Sequence, residues 1–266
     1  MDMKVLFLGN SHTFYNDMPQ IFAEICKERG KNVEVQMQAH PGVTYGWHYS
    51  HFVELRFSLM YGNLDYIVMQ QAAHSPCPSK KETMEDAGKI INLARKYGVT
   101  PVQIMPWAEK KEPAHQKVMY DTFYSLSKKY NIKIAIAGNV FEDVFYNHPE
   151  IDMYWYDGRH ASPYGSYTVA MSVYSAIFNE SVKGLKASSY CTYPVSLDDW
   201  NNIQNDLRML SMDPENKELQ KKASQTYEKC VQAVMEKDKA YFALDPQKAE
   251  ILQDMVDKYN RISSIQ

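Results

Sequence analysis

Little in this sequence points to a metal centre, a membrane or a nucleic acid. The four cysteines, Cys26, Cys77, Cys191 and Cys230, are scattered with no CxxC pair, a spacing that suits neither a zinc site nor a dense disulfide framework. The eight histidines contain no HExxH spacing. His48 and His51 stand at i and i+3, where they can share one helix face, and a packed or solvated pair is the simpler reading. No metal and no cofactor is expected. The net charge of −3, with no long basic run, provides no field for nucleic acid or an anionic membrane. No apolar run approaches the roughly 20 residues that span a bilayer. Lys4 followed by Val5 to Leu8 is too short for the core of a signal peptide. It reads as a strand that begins almost at residue one. A trimmed leader would leave the same start, so the compartment stays open, as does the oligomeric state.

What is present is an alternation of strand and helix patterns. The 266 residues, 45% hydrophobic and 23% charged, allow one large α/β domain or one domain with an appendage. After the first strand, Asp17-Met18-Pro19 has the form of a helix start with a capping acid. Ile21, Phe22 and Ile25 follow at helical spacing and Gly30 is the stop. Val33, Val35, Met37 and Ala39 alternate as a second strand, which runs into the loop His40 to Gly46. A helix is expected at about 47–60 and a third strand from Asp65 to Met69, ending in Gln70-Gln71. Further helices fall at about 81–97, 114–130 and 163–177, with strands at Val102–Met105 and Ile132–Ala137. Residues 139–147 read as a looser stretch before an aromatic loop from Ile151 to Ala161. Five strands alternating with helices predict a parallel sheet covered on both faces, closed as a three-layer αβα sandwich of doubly wound, flavodoxin-like form.

The pattern changes near Lys183. Strands largely disappear, and Ser196 to Asp199, Asp213-Pro214 and Asp245-Pro246 each have the form of a capped helix start. The division expected is a sandwich domain over 1–187 and a helical C-terminal extension over 188–266. Its apolar stripes (Leu219, Ala223, Tyr227, Val231 and Val234; Ala249, Leu252, Met255, Val256 and Tyr259) serve either packing on the sandwich or an interaction surface.

Two short stretches carry chemistry when taken together. Gly9-Asn10-Ser11-His12-Thr13 follows the first strand, where the carboxyl end of a parallel sheet meets its ligands. Asp157-Gly158-Arg159-His160 stands just before the last helix of the sandwich. An aspartate three residues before a histidine can accept from Nδ1, fix the tautomer and stabilise the imidazolium. A serine with no such partners would be ordinary turn chemistry.

In that order the motifs resemble those of the SGNH, or GDSL-like, hydrolase superfamily. Gly9-Asn10-Ser11 stands where the family has its Gly-Asp-Ser opening, Gly42 matches its glycine block, and Asp157 to His160 matches its final Asp-x-x-His block. The Gly-Asn-Ser-x-Thr wording, the glutamine closing the third strand and Trp107 after the fourth look like an uncharacterised branch. The resemblance covers residues 1 to about 180. It implies a serine hydrolase in which Ser11 is the nucleophile, His160 the base and Asp157 its orienting carboxylate. The Ser11 and Gly42 N–H groups would bind the oxyanion.

The chain departs from the family where the Gly-x-Asn-Asp block should be, reading Gln70-Gln71-Ala72-Ala73 instead. A glutamine amide can donate the bond that the asparagine gives. Gln70 is the first choice, because residues two apart in a strand point the same way, and Gln71 the second. Asn10 in place of aspartate reads as structural. His12, beside the nucleophile, is expected to point elsewhere rather than act as a competing base.

Tyr15, Tyr45, Trp47, Trp107, Tyr154 and Trp155 fall in loops expected at the carboxyl end of the sheet. Such rings stack on a sugar, wall the pocket or pack against the C-terminal extension, with Trp107, Tyr45 and Trp47 as the candidate substrate contacts. Arg159 either meets an acidic substrate group or pairs with a nearby carboxylate. The function expected is an esterase removing small O-acyl groups, such as O-acetyl groups of a carbohydrate, with a small-molecule or glycan ester as its partner. The alternatives are a non-catalytic glycan- or ligand-binding module on the same fold, and an O-acyltransferase.

Overall fold

The computed structural model describes residues 2–74, 78–190, 205–206, 209–235 and 241–263. Five parallel strands, β1 (Met3–Gly9), β2 (Val33–Ala39), β3 (Tyr66–Met69), β4 (Thr100–Ile104) and β5 (Lys133–Ala135), form one sheet in the order β2-β1-β3-β4-β5. Val5 of β1 lies opposite Val35 on one side and Tyr66 on the other. Because β1 is an interior strand covered on both faces, Val5 to Leu8 are all fully buried and show no alternation. Strand β2 is an edge and keeps the half-exposed alternation read from its sequence. The chain leaves β1 for β2 on one side and reaches β3 on the other, so the crevice beyond the end of β1 is the topological switch point of the sheet. Gly9-Asn10-Ser11 sits there.

Helices cover both faces. On one side α2 (Met18–Glu28) packs against α8 (Pro163–Phe178), with α7 (Ala137–Asn147) and the C-terminal helix Pro246–Ser263 beside it. On the other side lie α5 (Lys80–Lys96), α6 (Gln116–Tyr130) and the short α3 (Tyr45–Ser50). The product is the αβα sandwich expected.

Local differences have physical causes. The helix expected at about 47–60 is two, α3 and α4 (Phe52–Tyr61), broken at His51 (φ −95°, ψ 39°). Residues 139–147 are not loose: they belong to α7, whose Val140, Phe141 and Val144 are buried at helical spacing, and that helix shortens β5 to Lys133–Ala135. Asp17 makes no side-chain cap for α2 and itself lies at φ 50°. Asn216, not Asp213, caps the helix Lys217–Met235, accepting from the N–H groups of Glu218 and Leu219. The start expected at Ser196 lies outside the described residues.

The C-terminal helix shares the core of the sandwich. Ala249, Leu252, Met255 and Val256 join the same buried cluster as Val5 to Leu8. Asp245 caps this helix through the N–H groups of Gln247 and Lys248. Its buried polar residues also face the sandwich. Gln253 accepts from the Gly184 N–H (2.7 Å) and donates to Tyr167 Oη and the Leu185 carbonyl (both 2.9 Å), and Asp257 accepts from the Val182 N–H at 2.9 Å and from the Ser181 hydroxyl. The extension also adds a two-stranded antiparallel ribbon, Ser188–Tyr190 with Tyr241–Ala243. None of the described helices is long and apolar enough to cross a membrane.

Candidate active site

Strand β1 ends at Gly9 and the chain turns at once into the four-residue helix α1 (Ser11–Phe14). Asn10 makes the turn. Its Oδ1 caps α1 by accepting from the His12 N–H at 3.1 Å, while its Nδ2 donates to the Val43 carbonyl at 3.1 Å. An aspartate could supply the first bond but not the second, so the asparagine ties the Ser11 turn to the loop carrying Gly42. Gly9 must be small: a Cβ there would lie 2.2 Å from Thr13 Oγ1. The Gly9 carbonyl accepts from the buried His48 Nε2 at 2.8 Å and from the His40 N–H at 3.3 Å.

On the opposite wall, the loop Ile151 to Ala161 is stapled by Trp155 N–H to the His160 carbonyl (2.7 Å) and by Ser162 N–H to the Met153 carbonyl (2.9 Å). Asp157 folds back on this loop. Its Oδ1 accepts from the N–H groups of Arg159 (2.9 Å) and His160 (3.0 Å), and its Oδ2 accepts from His160 Nδ1 at 2.5 Å. The other ring nitrogen, Nε2, is 2.8 Å from Ser11 Oγ. With Nδ1–H donated to the carboxylate, Nε2 is the acceptor for the serine proton. Thus Ser11 meets the Asp157–His160 pair, distant from it in sequence, in one hydrogen-bonded chain. Burial pushes the Asp157 carboxyl up, but the bonds from the His160 ring and the Arg159 N–H outweigh it and bring the pKa down to about 2, so it is an anion at neutral pH.

The two candidate glutamines separate cleanly. Gln71 is committed to the framework: its Oε1 accepts from the N–H groups of Tyr45 (2.9 Å) and Ala72 (3.1 Å), and its Nε2 donates to Thr83 Oγ1 (3.3 Å). Gln70, also buried, accepts from Thr13 Oγ1 at 2.9 Å, while its Nε2 has no hydrogen-bond partner. A buried donor left unpaired is costly, and here it is held by the same short helix that carries Ser11. Gly42 has φ +69° and open space around it. In this left-handed region a Cβ would be strained.

His12 does not point away from its neighbour's site, as its position beside Ser11 suggested. Its ring is buried, stands 5.0 Å from the His160 ring and 5.0 Å from Trp107, and its Nε2 is 3.3 Å from His74 Nδ1. It makes no bond to Ser11 Oγ, whose partner is His160 Nε2. Burial first, then the neighbouring His160 and His74 rings, push its pKa well below the ordinary histidine value. It is a neutral packing partner.

The three candidate substrate aromatics divide. Tyr45 is fully buried with its hydroxyl on Gln103 Oε1 at 2.7 Å, so it is core and offers no face to a ligand. Trp107 is 1% exposed, stacks on Phe141 at 4.4 Å and donates Nε1 to the Arg159 carbonyl at 2.9 Å, which makes it a support for the Asp157–His160 loop. Trp47 alone keeps partial exposure, stacked on His51 at 3.9 Å beside the Gly42 loop. Arg159 pairs with the buried Glu109 carboxylate at 3.3 Å. Among the described residues no group of histidine, cysteine and carboxylate side chains could hold a metal ion.

Sequence reasoning missed Thr13, His74, Glu109 and Asn16 as members of this region. Thr13 was legible only as part of the motif's wording. The others have no spacing signal, because the fold alone brings them here.

No family model matches the sequence, and no curated protein matches it. Solved structures do match. A putative SGNH hydrolase from Slackia heliotrinireducens, 23% identical, superposes with a TM-score of 0.59 over 66% of this chain and 100% of its own. An acetylxylan esterase from Geobacillus stearothermophilus, 12% identical, does so with 0.56 over 67% of this chain and 95% of its own. A DUF4886 family protein from Bacteroides uniformis, 16% identical, gives 0.63 over 97% of this chain and 94% of its own. The chain therefore has the SGNH-hydrolase-like fold. The Bacteroides protein matches nearly the whole chain, well beyond the two-thirds covered by the other two.

Proposed function

We propose that this protein is a serine esterase that removes small O-acyl groups, with O-acetylated carbohydrate as the substrate class. The observation that carries the reading is the chain from Ser11 Oγ through His160 Nε2 (2.8 Å) and Nδ1 to Asp157 Oδ2 (2.5 Å). Its geometry meets what a nucleophile, base and orienting acid require. The fold shared with an acetylxylan esterase, and a serine only 7% exposed between His12 and the His160 loop, support a small acyl group.

In the reaction, Ser11 Oγ attacks the acyl carbon while His160 Nε2 takes its proton. The oxyanion that develops on the carbonyl oxygen is met by the Ser11 and Gly42 N–H groups and by the unpartnered Gln70 Nε2. Collapse expels the alcohol, which receives the proton from His160, and leaves an acyl-serine. Water, deprotonated by His160, then attacks that ester, and the acid departs as Ser11 recovers its proton. Asp157 holds the Nδ1–H tautomer throughout and faces the imidazolium.

The test is hydrolysis of p-nitrophenyl acetate, together with labelling by a fluorophosphonate, in wild type and Ser11→Ala. Equal rates in the two proteins would sink the reading. The binding-module alternative rests on the missing asparagine, and it loses ground because Gln70 holds a buried amide donor beside the nucleophile's helix. Acyl transfer uses the same acyl-serine, so product analysis with an added sugar acceptor separates it from hydrolysis.

A further inference from the structure

Beyond the triad, one short turn has unusual backbone. Asn16 (φ 53°) and Asp17 (φ 50°) are consecutive left-handed residues, neither of them glycine. Asn and Asp enter that region more readily than other side chains, but as single residues, so two in succession call for surroundings that hold them, a situation concentrated at functional sites. Here the surroundings are specific. Asn16, 1% exposed, donates from Nδ2 to the Ala161 carbonyl and to Ser166 Oγ, both at 2.8 Å. Ala161 directly follows His160, and Ser166 lies in α8. Tyr15, the residue before, stacks on the His160 ring with centroids 3.9 Å apart and planes 8° apart. Its own carbonyl accepts from Ser166 Oγ at 3.3 Å.

From this juxtaposition we infer that the Tyr15–Asn16 turn is a positioning clamp: the Tyr15 ring and the Asn16 amide together hold the His160 imidazole in the plane from which it meets Ser11. The clamp rests on the esterase reading for its purpose but not for its existence. Both halves act on the histidine loop from the serine's side of the crevice, which is what a device for joining two distant segments must do. The stack restricts rotation of the ring, and an electron-rich face beside the imidazole favours the cation that forms as the serine proton arrives. The left-handed turn at Asn16 and Asp17 lies directly beside ring and amide, which reach neighbouring points of one loop. Neither residue gives or takes the serine proton, and both act through His160, so both are positioning residues.

The experiment compares Tyr15→Phe, Tyr15→Leu and Asn16→Gly in the full chain, reading kcat and KM for p-nitrophenyl acetate and the low-field proton resonance of the His160–Asp157 hydrogen bond. Tyr15→Phe keeps the ring and is expected to stay within about threefold of wild type. Tyr15→Leu is expected to lower kcat about tenfold, the equivalent of one cation–π contact, with KM unchanged and the resonance broadened by exchange. Asn16→Gly relieves the backbone but loses the amide, and it too is expected to broaden the resonance. Full kcat and an unchanged resonance in Tyr15→Leu would overturn the clamp. If Tyr15→Leu fails to fold, Tyr15→Met and Asn16→Ala decide the question by the same two readouts. The resonance does not need turnover: a protein without esterase activity whose resonance still depends on Tyr15 would reject the esterase reading and keep the clamp.

Discussion

Thr13 donates its hydroxyl to Gln70 Oε1 at 2.9 Å, and this one bond decides which end of the Gln70 amide remains for a ligand. The oxygen is occupied, and the nitrogen is the buried donor without a partner. The threonine two residues after Ser11 thereby orients the group expected to meet the oxyanion. Gln70→Ala should lower kcat by about 10²–10³ with little change in KM, the loss typical of one oxyanion donor. Thr13→Val, which frees the amide to turn over, should show a smaller loss that Thr13→Ser restores. Unchanged kcat in Gln70→Ala would remove the glutamine from the mechanism.

Asp157 is expected to link activity to acid stability. Asp157→Asn cannot hold the productive tautomer and should cost on the order of 10⁴ in kcat. Because the folded carboxyl is depressed to about 2 from its ordinary value of 3.8, its stabilisation is fully present above about pH 4 and is lost as pH falls toward 2. Urea midpoints of wild type should decline across that window more steeply than those of Asp157→Asn. Parallel declines would show that the carboxylate contributes nothing to folding.

The histidines act in a higher window. Burial pushes the His12, His48 and His74 rings below their ordinary value of 6.5. Below that pH the unfolded chain binds protons that the folded chain refuses, so stability is complete above about pH 6.5 and falls as pH drops through it. His12→Gln should flatten the dependence of the urea midpoint on pH between about 6.5 and 5. An unaltered slope would mean that His12 is not held neutral.

The aromatic residues should separate by burial. Trp107→Ala removes a core ring stacked on Phe141 and should destabilise the fold by about 3–5 kcal/mol, seen as a lower urea midpoint. Trp47→Ala, on a partly exposed ring beside the Gly42 loop, should leave the midpoint within about 0.5–1 kcal/mol and raise KM for an acetylated oligosaccharide more than for p-nitrophenyl acetate. Equal effects on both substrates would exclude Trp47 from sugar contact.

Removing residues 246–266 should unfold the sandwich rather than trim it. The deletion strips Leu252 and Val256 from the core and leaves the Val182 N–H without the Asp257 carboxylate. Loss of the cooperative thermal transition is the expected result. A truncated chain with an unchanged midpoint would make the last helix an accessory.

The sandwich itself was legible because parallel strands and amphipathic helices write their periods directly into the sequence. The apolar run Val5 to Leu8, the alternation of Val33 to Ala39, and the stop at Gly30 each depend only on near neighbours. Ser11, Asp157 and His160 were legible for a different reason, as ordered motifs with a family likeness. Periodicity could not register α7, where buried residues follow directly on a short strand, nor that Asn216 rather than Asp213 caps its helix while Asp17 caps none, since capping depends on a few local dihedrals.

Only the tertiary structure decided the rest. Gln70 and Gln71 are adjacent and chemically identical, yet the strand's pleat sends one amide to Thr13 and the other to the Tyr45 and Ala72 N–H groups. Tyr45 and Trp107 read as candidate substrate contacts, but one is buried with its hydroxyl on Gln103 and the other is stacked on Phe141. His12 read as pointing elsewhere until the Asp157–His160 loop folded back against it. By itself the sequence determined the alternation of strands and helices, and it named a candidate nucleophile in Gly9-Asn10-Ser11 and the partners such a serine requires. Which side chains face that serine is a matter of packing between segments some 150 residues apart, and no local pattern encodes such a contact.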